Sequence, residues 1–287
     1  MTKKFFRGAL IAGAALGLAT PAGATHAWSN YHWARTSTTL SLKVNKAISS
    51  VWTTSVNTAI GDWNGRSVLS LTNQTAPSGT SAKRCSPIAG QILVCNDSYG
   101  NRGWLGIASI NIDSANHITT GTTKLNDSYF NTAQYDKPEW RALVACQEIG
   151  HDFGLGHQDE VFGNVNVGSC MDYTNAPAGG TVGGFNYGPS NEHPNTHDTN
   201  ELSIIYGQTD SYTTTSAATN FGIRGVGAKP PQELVPVEIG DTRASWGVAV
   251  HRDGKGRADR FLLSVGGGRK IATHVFWASD ATGHEAD

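Results

Sequence analysis

Net charge is close to absent from this chain, with 22 Lys and Arg against 23 Asp and Glu over 287 residues. A nucleic-acid surface needs a basic excess, so DNA and RNA are excluded as expected partners. Long apolar runs are missing too. The uncharged stretch Gly8 to Ala19 is too short to span a bilayer, which makes a retained membrane helix the weaker reading. The four cysteines do not form paired Cys-x-x-Cys units, which argues against a structural thiolate zinc site. No internal repeat recurs at a fixed period, so a solenoid or propeller is not expected.

The N-terminus has what a secretory leader needs. Lys3, Lys4 and Arg7 precede the apolar stretch, and Pro21 and Ala22-Gly23-Ala24 follow it, so cleavage is expected after Ala24 or Ala27. The mature chain is then expected to be secreted, soluble and extracellular, with no membrane contact once residues 1–27 are removed. Disulfides persist in that compartment, and four cysteines allow three pairings. Cys85 and Cys95 bracket a short loop with Pro87 and Gly90 and are expected to pair, which leaves Cys146 for Cys170.

Periodicity supplies the elements. Leu40, Leu42 and Val44 alternate as in a strand, while Val51, Trp52, Val56, Ala59, Ile60 and Trp63 recur at helical spacing between Ser49 and Gly65. Short β-rich runs follow at Ser67 to Thr72, Gln91 to Cys95, Trp104 to Ile112 and His117 to Leu125, and are expected to share one sheet. A second helix is expected from Pro138 to Phe153, ended by Gly154 and Gly156, and a third from His197 to Tyr206. Residues 210–220, rich in Thr, Ser and Ala, read as a linker. Trp246 to Val250, Arg260 to Val265 and Ile271 to Trp277 read as three strands of a small β appendage within residues 221–287. The class is therefore α+β.

The chemistry concentrates in Gln147-Glu148-Ile149-Gly150-His151-Asp152-Phe153-Gly154-Leu155-Gly156-His157. In a helix Gln147 and His151 share one face, and Glu148 stands close enough to take a proton from a metal-activated water. Gly154 can adopt the positive φ that turns the chain back and returns His157 to the same point.

This spacing resembles the metzincin motif of zinc proteases, His-Glu-x-x-His-x-x-Gly-x-x-His, with Gln147 where the family has its first histidine. Met171 lies where a Met-turn is expected, and Ser169-Cys170-Met171-Asp172-Tyr173 looks like the Met-turns of astacins and serralysins. The resemblance, to matrixin, astacin and serralysin types, covers residues 28–209. It implies a twisted mixed sheet, an active-site helix, a Met-turn and a C-terminal helix. It further implies a secreted endopeptidase with one catalytic Zn2+ held by Gln147, His151 and His157, the alternatives being that Tyr173, Asp159 or another residue completes the shell in place of Gln147 or that the site is empty. Glu148 would be general base and acid, Tyr173 would steady the oxyanion, and Met171 would form the floor. An extended protein or peptide substrate would add to Trp104–Ile110 as an edge strand. A non-catalytic secreted peptide-binding protein with the same cleft is the alternative. Asp152 is a candidate to orient a ligand histidine. Asp159 and Glu160 could be further ligands, a Ca2+ site or surface charge, and His193 and His197 could line the cleft. Asn73, Asn96 and Asn126 match glycosylation acceptors. The leader runs almost directly into the first strand, with no clear cysteine-switch prodomain between.

Overall fold

The computed structural model describes residues 26–215 and 235–279. Residues 1–25 of the expected leader, residues 216–220 of the expected linker and residues 221–234 and 280–287 of the expected extension lie outside the described residues. His26 and Ala27 lie within them: His26 Nε2 is 3.1 Å from Asp198 Oδ1, and Ala27 bridges Leu155.

A two-residue strand, β1 (His32–Trp33), precedes β2 (Leu40–Ala47), where alternation buries Leu40, Leu42 and Val44. One 3-10 turn at Ser50–Trp52 leads into α1 (Thr53–Trp63), which turns Val56, Ala59, Ile60 and Trp63 inward. Strands β3 (Leu69–Thr75), β4 (Ile92–Asp97), β5 (Trp104–Ile112) and β6 (His117–Asn126) follow. Asn126 caps the single turn α2 (Asp127–Phe130) by accepting from Ser128 N–H. Helix α3 (Pro138–His151) starts on Pro138, where the missing N–H costs nothing, and is buried throughout Leu143 to His151. A small hairpin, β7 (Thr181–Val182) and β8 (Phe185–Asn186), lies beyond. Helix α4 (Thr196–Ile205) opens on a reciprocal cap between Asn195 and Asp198. Three strands close the chain: β9 (Val248–Arg252), β10 (Ala258–Gly266) and β11 (Arg269–Trp277).

The main sheet runs β3-β2-β4-β6-β5-β11-β10-β9, with β1 paired to β6. Its first half is parallel (β2 with β3 and β4, β4 with β6), and from β6 through β5, β11 and β10 to β9 it is antiparallel. The α+β expectation therefore holds, with a mixed sheet and few helices.

Two expectations change. The C-terminal strands continue the main sheet rather than forming a sheet of their own, which answers the size problem: three strands too few for a core complete one already there. As a result β5 is not an edge. It lies between β6 and β11, with pairs running from Lys270–Ile112 to Trp277–Trp104, so the place expected for a substrate strand holds a strand of the same chain.

Helices α1 and α3 pack against one face of the sheet around Trp52, Trp63, Leu143, Val144, Ile149 and Phe153. Both expected disulfides are present, Cys85–Cys95 and Cys146–Cys170. Among the described residues no helix is long and apolar enough to cross a membrane. Of the three asparagine motifs, Asn73 is exposed, whereas Asn96 and Asn126 are buried and spend their side chains on internal hydrogen bonds.

Candidate metal centre

Close approach of α3 to the sheet decides where the site lies. Gly106 on β5 makes room for it: a Cβ there would stand 2.8 Å from Glu148 Cγ and 2.7 Å from Val144 Cγ1. The helix ends in tight turns, Phe153 N–H to Gly150 C=O and Gly154 N–H to His151 C=O, and Gly154 takes φ 90°. A side chain at Gly154 would also strike the Tyr31 carbonyl, so this position needs glycine twice over. The reversal returns His157 to His151, as expected, with Nε2 to Nε2 at 3.1 Å.

The third histidine is His274, from the centre of β11, where it pairs with Ala108 of β5. His151, His157 and His274 each offer a ring nitrogen within 4.8 Å of the others, and all three are buried. His274 Nδ1 lies 3.0 Å from Glu148 Oε2, and its Nε2 lies 2.8 Å from the Tyr173 hydroxyl, which donates to Asp259 Oδ2 at 3.0 Å. The Tyr173 ring stacks on Phe162 and tilts over His157, with ring centres 4.6 and 4.2 Å apart.

Hydrogen-bond partners assign the ring protons. His151 Nδ1 faces the Leu155 carbonyl at 2.7 Å, an acceptor only, so this nitrogen donates and Nε2 carries a lone pair. His157 Nδ1 likewise faces the Glu160 carboxylate at 3.1 Å. Two lone pairs then meet at 3.1 Å with no proton between them. Burial holds both imidazoles well below their ordinary pKa, so a proton is a poor guest there. A cation is a good one: donor atoms around a tetrahedral zinc lie about 3.3 Å apart, given Zn–N bonds near 2.0–2.1 Å. The donor set and its spacing fit zinc.

Gln147 is arranged differently from its expected ligand role. Its Nε2 donates to the Cys170 carbonyl at 2.7 Å and lies 3.5 Å from the Asp172 carbonyl, so the amide clamps the turn around Met171 beneath the helix. Its Oε1 is buried with no hydrogen-bond partner. Met171 packs under Gly150, where a Cβ would stand 2.6 Å from its sulfur, and the Cys146–Cys170 bridge ties the same turn to α3.

Other expected residues separate in the same way. Asp152 accepts from Thr123 Oγ1 at 2.9 Å, and its other carboxylate oxygen has no hydrogen-bond partner, so it orients no ligand histidine. Glu160 is the residue that orients one, while also meeting His251 at 3.2 Å and Arg260 at 3.2 Å. Asp159 accepts from Val161 N–H and Asn164 Nδ2 within its own loop, so the calcium expectation finds no support. His193 pairs with Asp62 on the surface, and His197 stacks on His26. His274, Asp259 and His251 were missed as a group, while Glu160 was legible only as a possible ligand, calcium site or surface charge. The one signal for His274 was a histidine at the middle of an otherwise apolar strand run, far in sequence from the motif.

Burial pushes Glu148 well above the carboxylate range and His274 down to about 3, so without a cation the two form a neutral hydrogen-bonded pair. Burial, with Asp259 next, raises the Tyr173 hydroxyl well above its usual value, which keeps it protonated.

No protein-family model and no curated protein matches the chain. Solved structures with partial likeness include high choriolytic enzyme 1, a hatching-enzyme zinc protease from the medaka fish Oryzias latipes. It is 13% identical, covering 61% of this chain and 94% of that one, with a TM-score of 0.34. Two structures of myroilysin are similar at 13% and 12% identity, covering 64% and 62% of this chain and 99% and 90% of those, with TM-scores of 0.35 and 0.33.

Proposed function

We propose that this chain is a secreted zinc-dependent endopeptidase of the metzincin kind, whose metal centre is His151, His157 and His274 and whose cleft is closed by its own strand β11. The observation that carries the proposal is the meeting of two imidazole lone pairs 3.1 Å apart beside a buried glutamate. A packed core has no use for that arrangement, and a metal hydrolase needs it.

Zinc held there would lower the pKa of a water molecule and polarise a peptide carbonyl. The chain supplies the rest. Glu148 takes the proton from the water and delivers it to the leaving amine, and burial raises its carboxyl above the ordinary carboxylate value. Glu160 and the Leu155 carbonyl hold His157 and His151 in the tautomer that presents Nε2. Tyr173, kept protonated, has a hydroxyl to offer a developing oxyanion once Asp259, which takes its proton, and His274 both move away with β10 and β11.

Peptide entry requires β11 to leave. Its pairing with β5 uses the main-chain groups that an extended substrate would use, and His274 occupies Glu148. When β11 withdraws, His274 goes with it, and Gln147 Oε1, buried without a partner, is the donor remaining on the helix. The closed form therefore binds zinc more tightly than the open one.

The experiment compares the intact chain with one cut at a specific-protease site inserted between residues 215 and 235 and stripped of the freed segment. Zinc content and casein hydrolysis are read with and without chelator, against Glu148→Ala. Hydrolysis by the opened form, abolished by chelator and by Glu148→Ala, is expected. Stoichiometric zinc with no cleavage by either form contradicts the proposal and favours the non-catalytic peptide-binding alternative.

A further inference from the structure

We infer that a second divalent-metal site of the zinc class lies at His32, His117 and Asp210, outside the buried centre and independent of any peptidase activity. The three residues come from β1, from the first position of β6 and from the segment after α4, and their ligand atoms all lie within 4.8 Å of one another. His32 Nε2 and His117 Nε2 each stand 3.3 Å from the same oxygen, Asp210 Oδ1.

Proton assignment makes this more than a hydrogen-bonded cluster. His32 Nδ1 faces the Asn30 carbonyl at 3.0 Å and can only donate to it, so in the neutral ring Nε2 carries the lone pair. His117 Nδ1 lies 2.5 Å from the Tyr212 hydroxyl, which itself donates to Asp113 Oδ2 at 2.6 Å. That hydroxyl oxygen therefore accepts from Nδ1, and His117 Nε2 is also a lone pair. Asp210 Oδ2 is taken by the Arg35 backbone N–H at 2.9 Å, which leaves Oδ1 facing the rings.

Two imidazole lone pairs thus converge on a carboxylate oxygen, three acceptors with no donor among them. A cation in the middle satisfies all three acceptors at once. The 3.3 Å separations match the donor spacing of about 3.3 Å around a tetrahedral zinc, and two imidazoles with one carboxylate suit a borderline metal rather than calcium or magnesium. The bonds at His32 Nδ1 and His117 Nδ1 are the outer partners that ligand histidines use to fix their tautomer. A metal here would brace the N-terminal strand and the segment after α4 against the main sheet.

Exposure separates this site from the inner one. Side chains of His32, His117 and Asp210 are 23%, 13% and 16% exposed, whereas those of His157 and His274 are at 0%. A chelator should strip the outer metal quickly and the inner one slowly.

The test uses the full mature chain, stripped and reloaded with Zn2+ alone. Two equivalents are expected, released in two phases. The double variant His32→Gln and His117→Gln should hold one equivalent, lost slowly, and His151→Ala with His157→Ala should hold one, lost quickly. Because a variant can fail to fold, the wild-type chain is also treated with diethyl pyrocarbonate and mapped by mass spectrometry. Zinc should protect His32 and His117 at least tenfold and leave the exposed His193 unaffected. Unprotected His32 and His117, or a zinc stoichiometry unchanged by His32→Gln and His117→Gln in a folded protein, overturns the inference. A single slow equivalent in the wild type does the same, and means that both rings are protonated instead.

Discussion

Gln147 stands where the motif would place a ligand histidine, yet its amide nitrogen holds the turn around Met171 through the Cys170 carbonyl. Replacing it with alanine leaves that buried carbonyl without its donor, so Gln147→Ala should cost about 1–3 kcal/mol in denaturant unfolding; a cost near zero would remove the clamp. Asp172 in the same turn offers a second check. Burial raises its carboxyl from 3.8 to about 7, against hydrogen bonds from Val167 N–H and Asn191. The native state therefore keeps a proton that the unfolded chain has released between those values. Stability from this group is full below about pH 4 and is lost as pH rises to about 7. Asp172→Asn should flatten the fall in Tm between pH 5 and 7.5 relative to wild type, and an unchanged slope would contradict the assignment. His151, His157, Glu148 and Met171 were legible at this scale because spacing on one helix and one turn fixes them. Asp152 was not, because its neighbours on β6 decide which way it turns.

Strands and bridges carry the next set of consequences. The two disulfides close loops of 10 and 24 residues, so loop entropy gives each about 3 kcal/mol of stabilisation. Their effects on the metal should differ. Cys146–Cys170 ties α3 to the turn beneath the site, while Cys85–Cys95 lies with Leu93 in a separate cluster. Serine replacement of Cys146 and Cys170 should weaken zinc binding at least tenfold, and replacement of Cys85 and Cys95 should leave it within twofold. Equal effects in a zinc titration would mean that the bridge does not position the site. Both pairings and the longer elements were readable, since periodicity and loop length are local, whereas the two-residue strands β1, β7 and β8 and the single turn α2 are too short to show a period. The pairing of β11 with β5 was not: three short strands carry no mark of which edge they join, and the edge of β5 became visible only as a place already filled.

Across the whole molecule, the sheet brings His274 of the last strand to Glu148, His151 and His157 at the end of α3, more than a hundred residues away in sequence. Sequence spacing supplied two of the three histidines, and tertiary topology supplied the third. The same topology makes the metal centre and the closed cleft a single feature, because the strand that brings His274 also covers β5. The most direct test is a crystal of the intact, zinc-loaded chain measured at the zinc absorption edge. An anomalous peak about 2.0–2.1 Å from His151 Nε2, His157 Nε2 and a ring nitrogen of His274 is predicted. A peak ligated by Gln147 with His274 turned away, or no peak among these histidines, would contradict the account.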